Sequence, residues 1–238
     1  MNPAGTFDAA LVLTAVLAVV ALAAGTLTLS GAVAGVIVGA CVSVGFGLPG
    51  LAVLGTFFVA GSVATRIGWE KKTARGTAEA GEGRRDWKRV AGKGGVAAAV
   101  ALATAAEVRF PGGVPAAAFT GAVAAALADT MGTEVGVLAR GTPRSLPFFR
   151  TVATGTPGAV SAQGTAAAAA GAVIVVIVAR ATHLLMDVGT VAAAGLVASL
   201  LESVAVGVGL RAPGFVRNVL TTFAGAALGV ALTSRAVV

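Results

Sequence analysis

Apolar residues fall in long, nearly unbroken runs, and short polar or glycine-rich interruptions separate them. A helix needs about 20 apolar residues to cross a bilayer, with about 17–25 as the working range. By that measure the first span runs from about Ala9 to Ala24, the second from Leu29 to Phe46 and the third from Leu48 to Thr65. The fourth covers about Val90 to Glu107 and the fifth about Ala116 to Ala128. The sixth runs from about Ala159 to Ala179, the seventh from Met186 to Val208 and the eighth from Val219 to Thr233. Gly45-Phe46-Gly47-Leu48-Pro49-Gly50 and Pro111-Gly112-Gly113-Val114-Pro115 carry the glycine and proline punctuation expected of turns. No segment shows the sustained alternation of a membrane β-barrel. The expected fold is all-α: a polytopic transmembrane helical bundle of about 7–8 spans, forming a single integral-membrane domain over residues 1–238.

Composition agrees, with 57% hydrophobic and only 11% charged residues. A soluble domain usually carries about 25% charged residues, so too little polar surface exists here to cover one. The net charge of +7 would suit nucleic acid, but its placement argues against that partner. Nine of the seventeen Lys and Arg residues lie in one segment between apolar runs, at Arg66, Lys71, Lys72, Arg75, Arg84, Arg85, Lys88, Arg89 and Lys93. A basic loop of that kind, about residues 66–89, marks the cytoplasmic side and meets anionic lipid headgroups. With that loop inside, alternate crossings bring Arg140, Arg144, Arg150, Arg211 and Arg217 to the same face and put both termini outside. The first apolar run has no basic start and is followed by others, so it reads as a retained span.

Cys41 is the only cysteine, which excludes an intrachain disulfide and a cysteine metal cluster. Gly31, Gly35 and Gly39 recur every four residues, the spacing that lets helix backbones approach closely in lipid. Trp69 and Trp87 fall in the basic segment and read as interfacial anchors.

Acidic residues inside spans cost about 2.5–3.5 kcal/mol each and often mark functional sites. Glu107, beside Arg109, and Asp187, beside His183, read as solvated residues at the outer face. Asp129-Thr130-Met131-Gly132-Thr133-Glu134 is different: two carboxylates and two hydroxyls in six residues between apolar flanks. On an ideal helix the carboxylates of Asp129 and Glu134 point about 140° apart. They converge only if the helix breaks or ends near Gly132, which an irregular backbone lining a polar cavity would permit. Carboxylates with hydroxyls suit hard cations, and Mg²⁺ usually takes one or two carboxylates plus phosphate oxygens. Gly155-Thr156-Pro157-Gly158 leads through Ser161 into the sixth span, a glycine loop before a helix start that suits phosphate. Glu202-Ser203, Asn218 and Asp86 fall on the same cytoplasmic half. Together these residues fit an anionic phosphate substrate.

The same residues resemble a known integral-membrane family, the one that includes chloroplast phytyl-phosphate kinase and the transmembrane protein 19 group. Leu29-Ser30-Gly31-Ala32 resembles its LTxSGA element, and Phe57-Phe58, Gly61-Ser62, Thr65-Arg66 and Lys71-Lys72 are similar to its FF…GS…T(R/K)…KK element. Arg85-Asp86…Arg89-Val90…Gly94-Gly95-Val96 resembles R(D/N)xxQVxANGGVA. Ala128-Asp129-Thr130…Thr133-Glu134-Val135-Gly136 is similar to ADTxxSE(I/V)G, and Gly155 to Gly164 is similar to GTxGxVSxxG. The chain departs in having Lys93 where the family tends to have Asn, and Glu202-Ser203 where it tends to have Asp-Ser.

The resemblance implies a transferase: a prenyl-phosphate kinase passing a phosphoryl group from CTP or another nucleoside triphosphate to phytyl or geranylgeranyl monophosphate, with Mg²⁺. Carried across, Asp129, Glu134 and Glu202 are the expected catalytic and metal-binding residues. Arg66, Lys72, Arg85, Asp86, Lys93, Thr130, Thr133, Gly155, Thr156, Gly158, Ser161, Ser203 and Asn218 are the expected substrate- or phosphate-binding residues, with the prenyl tail between spans in the lipid bilayer and the site toward the cytoplasm of a cell inner membrane. A small-solute transporter and a cytidylyltransferase acting on a lipid phosphate are the competing readings.

Overall fold

A computed structural model of the chain describes residues 3–108 and 113–236. Among these residues eight helices and three very short strands occur. Helix α1 (Pro3–Ala23) packs along the start of α2 (Leu29–Arg66). A straight helix of 38 residues would run about 57 Å, but α2 does not run straight. Gly47 adopts φ 57° and ψ −148°, and Pro49, which has no N–H to donate, follows it. The chain reverses there, because Arg66 at the far end donates from Nη2 to the carbonyl of Gly25, just before the start, at 3.0 Å. The two arms, residues 29–46 and 48–66, coincide with the expected second and third spans.

Small residues allow the arms to pack tightly. A Cβ on Gly45 would collide with the Ala101 backbone of α4 (Trp87–Ala105), and one on Gly39 with Thr14 of α1. Helix α3 (Trp69–Ala74) joins the second arm to the segment before α4.

Helix α5 (Val114–Gly136) is the centre of the bundle. Every residue from Ala117 to Ala128 is buried, whichever face it occupies, because α2, α4, α6 (Ala162–Ala181), α7 (Val188–Gly207) and α8 (Gly214–Ala236) surround it. That crowding explains its alanine-rich sequence: a Cβ on Gly121 would strike the Gly225 carbonyl of α8, and one on Gly171 lies 3.0 Å from the Leu127 carbonyl. Small residues of this kind are how helices come together in lipid, where burial alone supplies little drive.

Among the described residues five helices, α2, α5, α6, α7 and α8, are long and apolar enough to cross a membrane, and the apolar part of α1, Ala9–Ala23, is shorter. Several boundaries differ from those read in the sequence. The fifth span was expected to stop at Ala128, yet α5 continues unbroken through Asp129–Glu134 to Gly136. Cations from other elements meet its polar side chains, so the backbone has no reason to break at Gly132. Gly132 instead packs against α6, where a Cβ would lie 3.2 Å from Ala168. Ala159 and Val160, expected in the sixth span, form β3 (Ala159–Val160), which pairs antiparallel with β1 (Arg144–Ser145). On its other edge β1 pairs with β2 (Arg150–Thr151). Helix α8 begins at Gly214, before the expected Val219, so Asn218 lies in its second turn. The expected turn from Pro111 to Pro115 falls partly outside the described residues, as does the Arg109 neighbour of Glu107; Gly113, at φ 80°, caps α5.

Both ends of α2, α3, the start of α4, the end of α5, the small sheet, the start of α6, the end of α7 and the start of α8 share one end of the bundle. Their contacts fix this: Arg66 with Gly25, Thr28 with Arg85, Gly136 with Ser161, and Glu202 with Arg217.

Candidate functional site

At that end lies a cavity of about 540 Å³. Loop 75–79, the end of α5, loop 154–161, the end of α7 and the start of α8 supply its walls. Five basic side chains reach it, Arg75, Arg85, Arg89, Lys93 and Arg217, together with four acidic ones, Glu79, Asp129, Glu134 and Glu202.

Each acid has a basic partner from a different element. On α5, Asp129 Oδ2 accepts from Lys93 Nζ of α4. Five residues on, Glu134 points elsewhere, as the helical period requires, and Oε2 accepts from Lys72 Nζ of α3 at 2.6 Å. Glu202 Oε1 of α7 accepts from Arg217 Nη1 of α8 at 2.9 Å. Glu79 Oε1 pairs with Arg89 Nη1 at 3.1 Å. Because α5 neither breaks nor ends at Gly132, the condition under which Asp129 and Glu134 would converge is not met. Among the described residues no three His, Cys, Asp or Glu side chains gather as a metal cluster.

Lys72 is fully enclosed and does not reach the cavity wall. Besides Glu134, its ammonium donates to the carbonyls of Ala64 (2.9 Å) and Thr65 (3.1 Å), capping the end of the second α2 arm where the helix dipole favours a cation. Thr65 Oγ1 lies 3.3 Å from Glu134 Oε1. Two other expected phosphate ligands also stand off the wall. Arg66 bonds the Gly25 carbonyl, and Asp86 caps α4 by accepting from the Arg89 amide at 3.0 Å.

The remaining expected residues come together. Arg85, Lys93, Thr130, Thr133, Gly155, Thr156, Gly158, Ser161 and Asn218 line the main cavity with Asp129, Glu134 and Glu202. Ser203 lines a smaller pocket of about 50 Å³ behind it, which Asp129 and Glu202 share. Lys93 does not extend to the membrane surface, because its ammonium turns inward to Asp129.

The glycine loop is shaped by contact. Gly155 (φ 87°) and Gly158 (φ 74°) adopt left-handed backbone, and a Cβ at either would come within 2.8 Å of Thr77 or Val206 respectively. Ser161 caps α6 by accepting from the Gly164 amide at 3.1 Å, leaving the positive end of that helix beside the cavity.

Arg85 is held by its backbone: its amide donates to the Thr26 carbonyl at 3.0 Å and its carbonyl accepts from the Thr28 amide at 3.1 Å. Gly31, in the LTxSGA-like element, has no side chain because a Cβ would collide with that carbonyl. The guanidinium sits 5.4 Å from the Phe57 ring centre and 5.6 Å from that of Phe58. Arg85 is 7% exposed, and neither Nη1 nor Nη2 has a hydrogen-bond partner. Burial pushes its pKa down, and the nearby Glu79 and Glu134 carboxylates oppose that shift. Burial likewise raises Glu79 above the ordinary carboxylate range, against the pull of Arg89.

Sequence reasoning did not single out Arg75, Glu79, Arg89 or Arg217 as site residues. The signal for Glu79 was its place inside the basic segment, where a carboxylate lies among many cations. Arg217 stands one residue before the expected Asn218.

Comparison with known proteins is consistent with this membrane architecture. The family model described as Integral membrane protein DUF92 matches residues 12–227. An uncharacterized membrane protein, sll0875, of Synechocystis is 32% identical over 193 residues, covering 78% of this chain and 74% of the relative. Protein VTE6, chloroplastic, of Arabidopsis thaliana is 29% identical over 146 residues, covering 59% of this chain and 43% of that protein. No solved structure matches the chain.

Proposed function

We propose, for a chain that belongs to the DUF92 family of integral membrane proteins, that this cavity is the active site of a prenyl-phosphate kinase. CTP or another nucleoside triphosphate is the donor, and phytyl or geranylgeranyl monophosphate is the acceptor. The observation that carries the reading is the cavity itself: five cations, four carboxylates, a glycine loop and a helix start converge at one end of an apolar bundle. The motif resemblance over the same residues supports the reading.

In the reaction an oxygen of the prenyl monophosphate attacks the γ-phosphorus, the bond from that phosphorus to the bridging oxygen breaks, and the nucleoside diphosphate leaves. The attacking oxygen is already anionic near neutral pH, since the second ionisation of a phosphate monoester lies near about 6. No base is required, so the pairing of every cavity carboxylate with a cation is no obstacle. What the chain supplies is position and charge neutralisation. Lys93, Arg75, Arg89 and Arg217 offset the phosphates, and the 155–158 backbone with the start of α6 cradles them.

The donor set fits Mg²⁺ delivered with the nucleotide, because one or two carboxylates plus phosphate oxygens are its usual protein environment. Asp129 and Glu202, which share both pockets, would hold it, and Glu134 is the third candidate. When bound, the ion neutralises charge on the transferring phosphate. In this reading the eight apolar segments all cross, as a single domain. The cavity end, with fourteen of the seventeen Lys and Arg residues, faces the cytoplasm.

The test is turnover by purified protein with Mg²⁺, CTP and geranylgeranyl monophosphate. Diphosphate and CDP are expected. Pyrophosphate release would point to a cytidylyltransferase, and solute flux across liposomes without nucleotide use would point to a transporter.

A further inference from the structure

The four carboxylates of the cavity have already claimed four cations, and Arg75 donates to the Val137 carbonyl at 2.8 Å. Arg85 differs from all of these. It is 7% exposed, it lines the cavity, and both terminal nitrogens are buried without a partner. The Phe57 and Phe58 rings and the more distant Glu79 and Glu134 carboxylates offset part of the desolvation cost of that guanidinium, but its two terminal nitrogens remain without a hydrogen-bond acceptor. Its planar fork matches two oxygens of a phosphate. The surroundings also bear on what the phosphate is attached to. Two phenylalanine rings flank the guanidinium, and both come from the second arm of α2. Phe57 itself lines the cavity, so the wall beside Arg85 is apolar there, while Val59 and Val63, more than half exposed, lie on the opposite side of that arm. The groups that suit a polar nucleotide, Thr77, Thr156 and the glycine loop, come from loops on other walls.

We propose that Arg85 is the receptor for the phosphate of an amphiphilic monophosphate, whose apolar chain leaves along the Phe57–Phe58 arm of α2, while the nucleotide phosphates take the glycine-loop side. This divides the cavity into an acceptor side and a donor side. It rests on the kinase reading only for the identity of the second ligand.

The experiment measures binding without turnover, in nanodiscs, using geranylgeranyl monophosphate, geranylgeraniol, inorganic phosphate and CTP as probes. The wild-type protein binds the monophosphate and not the alcohol. Arg85→Lys keeps the charge but loses the fork, and weakens monophosphate binding at least about tenfold while CTP binding is unchanged. Equal monophosphate affinity in Arg85→Lys, or a loss of CTP affinity as large as the loss of monophosphate affinity, overturns the proposal. A second measurement uses only wild-type protein, so it does not depend on the variant folding. A prenyl monophosphate with a photoreactive group next to the phosphate labels residues 57–61, and labelling at 154–161 overturns the assignment. Monophosphate binding with no phosphoryl transfer would refute the kinase while leaving Arg85 as a lipid-phosphate receptor; transfer that is insensitive to Arg85→Lys would do the reverse.

Discussion

Lys72→Met isolates the most enclosed charge among the described residues. Lys72 is 0% exposed, and its ammonium makes three hydrogen bonds, to Ala64 and Thr65 at the end of the second α2 arm and to Glu134 of α5. Methionine fills a similar volume but strands two carbonyls and a carboxylate that is itself 8% exposed. Removing one member of a buried ion pair costs about 3–5 kcal/mol, because the other charge stays buried and unpaired. The lost caps on two carbonyls add to that. Lys72→Met therefore destabilises the protein by at least about 3 kcal/mol in equilibrium unfolding in mixed micelles. The double variant Lys72→Met/Glu134→Leu removes both charges and recovers a large part of the loss, since an apolar replacement for a buried pair is often close to neutral. Lys72 does not reach the cavity wall, so the substitution is read in stability and removes no direct contact with a cavity ligand. Unfolding of Lys72→Met at the wild-type position, or additive losses in the double variant, would refute the reasoning.

Three further outcomes follow from particular contacts. Glu79 holds its proton in the folded protein above the ordinary value of 4.5, so stability falls as pH rises from that value through the folded pKa. Melting curves of Glu79→Gln against pH lose this decline, and identical slopes in the two proteins would count against the buried placement of Glu79 among Arg89, Arg85, Glu134 and Lys93. Gly207→Ala drives a methyl into the Leu146 carbonyl beside β1. Overpacking of that sort costs about 1–3 kcal/mol, and hydrogen exchange across 144–160 should rise with it; unchanged exchange contradicts the packing. Asp129→Asn and Glu202→Gln each raise the Mg²⁺ concentration for half-maximal turnover by more than about tenfold, equivalent to about 1.4 kcal/mol of lost binding. An unchanged Mg²⁺ titration removes those residues from the metal's environment.

Much of the helical pattern was legible from local signals. The Gly45–Gly50 segment announces a reversal because a left-handed glycine and a proline sit two residues apart, and the reversal centres on Gly47. The recurrence of Gly31 and Gly39 announces close packing. What each glycine meets, the Arg85 carbonyl and Thr14, is set by elements distant in the chain and leaves no local trace. The same non-locality explains the fifth helix. Asp129 and Glu134 look like helix breakers in an apolar run, but Lys93 and Lys72, 36 and 62 positions earlier, meet them in space and the helix continues. The three strands, two residues each, are too short to show alternation. Glu79 was overlooked because a carboxylate in a charged segment looks solvated; its buried Oε2 becomes evident only once the loop folds against α4 and α5.

The most direct test of the account is a single-turnover reaction with γ-labelled CTP, Mg²⁺ and geranylgeranyl monophosphate in nanodiscs, comparing wild type with Asp129→Asn/Glu202→Gln. The account predicts label in the prenyl diphosphate from the wild type and its loss in the double variant, with the fold intact by melting. Label remaining wholly in CTP for the wild type, or full transfer by the double variant, would contradict it.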